Sequence, residues 1–224
     1  MLPEPYYETE NGKLYHGDCL DIMREMDDNS VDLVLTDPPY GMKNNVDSSR
    51  FSGGLLGHIA KCGNGGRFKH PIIGDDKPFN PAPFLDYPHV ILWGSNHYSN
   101  VLPRGTTLIW IKKLDSAFGT FLSDAEIAWM KGGHGIYCYR DLSLLKETRF
   151  RQHPNQKPIS LMGWCLDKSK SHGIVLDPFL GSGTTAVACE RLNRRWIGIE
   201  ISKEYCDIAV ERIRREVAQP KLAI

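Results

Sequence analysis

Apolar positions in this chain fall into short runs divided by turn-forming residues, with helical spacing between several of the runs. Residues 13–18 read as a short strand ending at Gly17-Asp18. Leu20, Ile22, Met23 and Met26 then recur at helical spacing, and the polar residues 27–30 turn the chain into a second strand, Val31 to Leu35. Strand, helix, strand is the unit of a parallel sheet. The second strand stops at Asp37-Pro38-Pro39-Tyr40, because prolines cannot donate to a ladder and each restricts the residue before it. From 41 to 88 no periodicity is sustained, and the stretch is rich in Gly, Asn, Ser, Pro and Lys. An insertion of that length leaving such a turn is expected to be a flexible lid, with Lys43, Arg50, Lys61, Arg67 and Lys69 free to meet phosphates.

Beyond it, 89–94 reads as a buried strand followed by a short helix to Leu102. Further strands are predicted at 107–112, 125–130 and 136–139, the last two separated by the glycine-rich residues 132–135. That pair leaves no room for a crossover helix, so the two strands must pair antiparallel or lie apart. Trp93, Trp110 and Trp129 are expected in the core, and His97 and Tyr98 on the rim. Pro158 opens a helix carrying Ile159, Leu161, Met162, Cys165 and Leu166. Residues 173–189 read as strand, glycine-rich turn and helix, and 195–200 as a strand ending in an acid. Ser202 then caps a last helix, with Tyr205, Ile208, Ala209 and Ile213 inward and Arg212, Arg214 and Arg215 outward, before a frayed tail beyond Ala218.

At 224 residues the chain is expected to be one α/β domain, 1–224. Its formal net charge is zero, so bulk electrostatics announce no polyanion partner. The distribution does: residues 1–36 carry nine acids against two bases, and 131–172 eight bases against three acids. Six scattered cysteines with no C-x-x-C pair imply reduced thiols and a cytoplasmic setting. The spacing of His58, Cys62 and His70 fits no zinc pattern, and no metal is expected. No run is long and apolar enough to span a membrane, and the amino terminus has no signal-peptide character.

The candidate chemistry lies at predicted carboxyl strand ends, where α/β sheets bind ligands. The Asp37 carboxylate and the Pro38 carbonyl can accept both protons of an exocyclic amine, while the Tyr40 ring stacks on the base. The second cluster is Asp177-Pro-Phe179-Leu-Gly181-Ser182-Gly183-Thr184-Thr185. Its glycines allow close approach of a ligand to backbone amides at a helix start. It lacks the lysine of a P-loop and the spacing of the dinucleotide fingerprint. Glu200, about twenty residues on, is placed for ribose hydroxyls. Asp18 sits at a third strand end, where it also suits a helix N-cap. Together these favour a nucleoside ligand without a triphosphate.

Asp37-Pro38-Pro39-Tyr40 followed by the 177–185 loop resembles the S-adenosylmethionine-dependent amino-methyltransferases of DNA, in the permuted order of their β group. His153 to Pro158 is similar to the segment upstream of that loop, and Trp196 to Glu200 to the ribose-binding strand. The resemblance covers nearly the whole chain. It implies a Rossmann-like class I methyltransferase fold, with a seven-stranded, mostly parallel sheet, one antiparallel strand and helices on both faces. It implies S-adenosyl-L-methionine (AdoMet) as cofactor and double-stranded DNA as partner. Asp37, Pro38, Pro39 and Tyr40 become the catalytic set. Asp18 takes the adenine amine of the cofactor and Glu200, with Ile201 beside it, the ribose. Asp177, Phe179, Gly181, Ser182, Gly183 and Thr184 line the methionine end, Lys157 and Thr185 approach its carboxylate, and Asp37 borders the cofactor as well as the base.

The resemblance associates Asp at position 37 with adenine N6 and Ser with cytosine N4, so N6-adenine is the expected target and N4-cytosine the alternative. RNA or protein amine acceptors, and a non-catalytic DNA-binding subunit, are further alternatives. The family's target-recognition residues would have to fit within roughly 131–152. Specificity is therefore relaxed, or read by 41–88, or completed by a second copy in a homodimer.

Overall fold

The computed structural model of the chain describes residues 1–27, 30–41, 73–120, 123–143 and 156–219. Among the described residues eight strands form a single sheet: β1 (Tyr7–Glu8), β2 (Gly12–His16), β3 (Leu33–Thr36), β4 (His89–Trp93), β5 (Gly105–Ile111), β6 (Ala125–Arg140), β7 (Val175–Asp177) and β8 (Trp196–Glu200). Their spatial order is β1-β2-β8-β7-β3-β4-β6-β5. The helices are α1 (Cys19–Arg24), α2 (Ile159–Ser169), α3 (Thr184–Arg191) and α4 (Lys203–Val217).

Period-two alternation in the strands divides the core into two layers. Leu33, Leu35, Ile91 and Trp93 face the layer made by α2, α3 and α4. Val34, Val90 and Leu92 face the other, with Ile22 of α1, Phe84 and Tyr98. A strand buried on both faces must be apolar at successive positions, which is why 33–35 and 90–93 read as continuous runs. Trp93, Trp110 and Trp129 are in the core as expected, at 0%, 4% and 7% exposure.

The sheet departs from the expectation in two respects. It has a β1–β2 antiparallel hairpin at one edge. At the other edge β6 touches β5 twice: residues 125–131 run antiparallel to it, while 136–140 run parallel to it. Because Thr107 opposes both Trp129 and Ile136, the two halves of β6 lie on opposite sides of β5. The pair 125–130 and 136–139 thus lies apart, split by a strand from earlier in the chain. A seven-stranded core with its one antiparallel member, 125–131, is intact inside these additions.

Two local expectations are corrected. Tyr98 is buried rather than on the rim, its hydroxyl donating to the Trp93 carbonyl at 2.5 Å. The insertion 41–88 is folded at its carboxyl end, where Ala82–Phe84 forms a 3₁₀ turn and Phe79 stacks on buried Phe84. Asp75 closes that part by accepting the Gly41 amide at 3.0 Å. The five basic residues named in the lid, and His58, Cys62 and His70, lie outside the described residues. Among the described residues no helix is long and apolar enough to cross a membrane.

Candidate functional site

The sheet order reverses between β3 and β8, with β7 between them. Parallel strands there bring four acids far apart in sequence to one edge: Asp18 after β2, Asp37 after β3, Asp177 ending β7 and Glu200 ending β8. A cleft of about 810 Å³, counting its open mouth, lies along that edge. Its lining includes Gly17, Asp18, Glu200, Ile201 and Ser202, and also Asp37, Pro38, Pro39, Phe179 and Gly181. A second recess continues past Asp37 and Gly181 to Lys157, Asp177, Ser182, Thr184 and Thr185.

Each acid is held differently. Asp18 caps α1, one oxygen accepting the amides of Leu20 at 2.8 Å and Asp21 at 3.2 Å. The cap fixes the side chain beside the cleft. Glu200 is buried and accepts the Ser202 amide on one oxygen at 2.8 Å and the Gly181 amide on the other at 2.7 Å. Burial raises its pKa despite those amides. Each oxygen keeps a lone pair for a hydroxyl donor, and the Gly181 bond ties the strand-end acid to the glycine turn. Asp177 accepts the Thr36 hydroxyl at 2.6 Å and the Phe179 amide at 3.1 Å. Burial still pushes its pKa to about 6, with the Thr185 hydroxyl opposing the rise. Asp177 and Thr185 therefore brace the loop against β3.

The turn itself is anchored by Gly183, the N-cap of α3, at φ 85°. A Cβ there would press on Ala209 of α4 at 3.0 Å. Arg212, expected outward, instead points back to this loop. Its guanidinium donates to the Ser182 carbonyl at 2.6 Å, the Ser182 hydroxyl at 2.8 Å and the Thr184 hydroxyl at 3.1 Å. Burial lowers its pKa to about 10. Arg212 falls seven residues after Tyr205 and so on the same helical stripe, a signal the outward reading overlooked.

Asp37 has the densest surroundings. One carboxylate oxygen accepts the Tyr40 hydroxyl and the other the Lys157 ammonium. Lys157 is itself buried and reaches a second carboxylate, Glu126 of β6, at 3.0 Å. Glu126 in turn meets Lys112, just past β5, at 2.7 Å. Burial is the main cause that lifts the Asp37 pKa to about 6; Lys157 opposes the rise and Glu126 adds to it. Lys157 is held well above the usual lysine range by the two carboxylates. It lines the second recess together with Thr185, and its ammonium is also shared by Asp37 and Glu126. Glu126 was absent from the sequence reading. Its signal was a charge among the apolar positions of strand 125–130.

The Tyr40 ring stacks on exposed His97 with centroids 4.8 Å apart and planes 17° from parallel. Gly94, at φ 70°, makes room for it, since a Cβ there would lie 2.0 Å from the ring. Gly94→Ala is expected to cost stability through the left-handed backbone and to evict Tyr40. Activity at this site should fall by about ten- to a hundredfold, an estimate for displaced positioning, with a melting temperature only a few degrees lower. An unchanged turnover number would show that the ring does not need this seat.

Residues 135–211 match a protein-family model described as DNA methylase. The Type II methyltransferase M2.LlaDCHI of Lactococcus lactis subsp. cremoris is 26% identical over 257 residues, spanning 96% of this chain and 94% of that protein. M2.DpnII of Streptococcus pneumoniae, also a Type II methyltransferase, is 28% identical, with 96% and 94% covered. Among solved structures, the PvuII DNA methyltransferase, described as cytosine-N4-specific, superposes with a TM-score of 0.58 at 17% identity, covering 98% of this chain and 90% of that one.

Proposed function

We propose that the chain is a DNA amino-methyltransferase that methylates the exocyclic N6 amine of adenine in double-stranded DNA, using AdoMet, a reading supported by its similarity to the DNA methylase model and to Type II methyltransferases. The observation that carries the reading is the convergence of Asp37, Asp177, Glu200 and Asp18 on one cleft at the reversal of strand order. AdoMet suits this donor set: Glu200 offers oxygens to ribose hydroxyls, Asp18 has a free oxygen for an adenine amine, and Ile201 and Phe179 supply apolar walls. When bound, it supplies an electrophilic methyl group on a sulfonium.

The remaining work falls to the protein. An aromatic amine is a weak nucleophile because its lone pair is delocalised into the ring. Asp37 and the Pro38 carbonyl accept hydrogen bonds from its two N–H groups, which favours a more pyramidal nitrogen and aims the lone pair along one line. Orientation of this kind supplies much of the rate in a direct in-line transfer. The amine is inaccessible inside a duplex, so the base is flipped out, and Tyr40 is the surface that receives it. Centroids 4.8 Å apart leave no space for a base between Tyr40 and His97. The base therefore takes the other face of Tyr40 or displaces His97.

Asp rather than Ser at position 37 supports adenine over cytosine. The test is transfer from AdoMet to mixed-sequence duplex DNA, with the product digested to nucleosides and identified by mass. N6-methyladenine is expected; N4-methylcytosine would keep the mechanism and change the base. Glu200→Ala should weaken AdoMet binding by at least about tenfold in calorimetry, roughly 1.4 kcal/mol or more. Unaltered affinity would remove Glu200 from the cofactor site.

A further inference from the structure

We propose that Glu126 is a positioning residue for Asp37, acting through the ammonium of Lys157 that the two carboxylates share. The inference rests on the methyl-transfer reading and extends its site to a strand from the other end of the sheet. Four charges form an alternating chain: Lys112 to Glu126 at 2.7 Å, Glu126 to Lys157 at 3.0 Å, and Lys157 to Asp37. It begins at Lys112, whose side chain is 28% exposed, passes through Lys157, 6% exposed, and ends at Asp37, 17% exposed.

The physical case is a competition for one cation. Water does not divide Lys157 from its partners, so an ammonium with Asp37 as its only partner would hold that carboxylate in a tight ion pair. Such a carboxylate is a poorer acceptor for an incoming amine. Glu126 draws the ammonium the other way and returns negative charge to the site. Lys112, at the far side of Glu126, limits how strongly it does so.

The groups that face Asp37 come from every element around it: Tyr40 on its own turn, Asp177 from β7, Tyr98 after β4, Glu126 from β6 and Lys157 before α2. Of the charged groups among these, Glu126 borders neither recess and reaches Asp37 through Lys157. A merely structural Glu126–Lys157 pair would change stability and leave the acceptor's ionisation where it was.

The signs follow from the charges. Asp37 must be ionised to accept the amine, so transfer is present above its pKa, about 6, and is lost as pH falls through it. Glu126→Gln removes a like charge and should lower the Asp37 pKa by about one unit. Lys112→Met frees Glu126 to act more strongly, and should move it in the opposite direction.

Asp37 is to be followed by ¹³C NMR of aspartate-labelled protein, for wild type, E126Q and K112M. The acid limb of single-turnover transfer to duplex DNA is to be recorded for the same three proteins. Opposite displacements of the titration, matched by the acid limb, with about a tenfold lower plateau rate for E126Q and AdoMet affinity held within twofold, would bear the proposal out. An Asp37 titration that is the same in all three, or that moves while the acid limb stays, would overturn it. Shifted titrations in a wild type that transfers nothing to DNA would overturn the methyl-transfer reading, and with it the positioning role, while leaving the electrostatic link standing.

Discussion

Asp37→Ala is expected to reduce methyl transfer by at least about a thousandfold, roughly 4 kcal/mol of transition-state stabilisation. In the proposed reaction Asp37 accepts a hydrogen bond from the amine, and in the structure its two oxygens accept the Tyr40 hydroxyl and the Lys157 ammonium. The fold should survive the change. Lys157 keeps Glu126 as partner, so the substitution leaves no buried ammonium stranded. AdoMet affinity should stay within about threefold, because the residues proposed to anchor ribose and adenine are Glu200 and Asp18, which the substitution leaves in place. Wild type and variant are to be compared in the nucleoside assay and by calorimetry. A variant with a substantial fraction of wild-type transfer would remove Asp37 from the reaction; one with lost cofactor binding would move it to the cofactor site.

Lys157→Met should be the most damaging single change to stability. It leaves Asp37 and Glu126 as neighbouring carboxylates without their shared cation, at a cost of about 3–5 kcal/mol for a broken buried pair. In a domain of this size that is on the order of 6–20 °C in melting temperature. The loss depends on pH. Without Lys157 the folded-state pKa of Asp37 rises further above its unfolded value, so the folded form takes up protons more readily. Stability then falls as pH rises from the unfolded value through the folded one. Urea unfolding should show a smaller deficit at pH 5.5 than at pH 8. An equal deficit at both would mean that the ammonium contributes through packing alone.

Much of this molecule was legible locally. The runs 33–35 and 90–93, the proline stop after Thr36, the glycine turn before α3 and the Ser202 cap are properties of contiguous residues. Backbone propensity, side-chain period and turn chemistry act over a few residues, so a sequence states them directly. The same is true of the residue types at Asp18, Asp37, Asp177 and Glu200. Alternating parallel units explain why such acids at strand ends should meet.

Two long-range contacts mark the limit. The three arginines of α4 were set outward together, although Arg212 lies on the stripe of Tyr205 and closes the loop at Ser182 and Thr184. The ammonium of Lys157 bridges Asp37, 120 positions earlier, and Glu126, a pairing that no local stretch announces. The insertion of β5 between the halves of β6 is of the same kind. By itself the sequence determined the fold class, the strands and turns, and the chemical groups available at the candidate site. Only the tertiary structure decided which charges share a partner, which strand divides β6 and which arginine turns inward. Long-range pairing depends on the whole sheet order and on the desolvation of each group, and no local stretch of the chain encodes either.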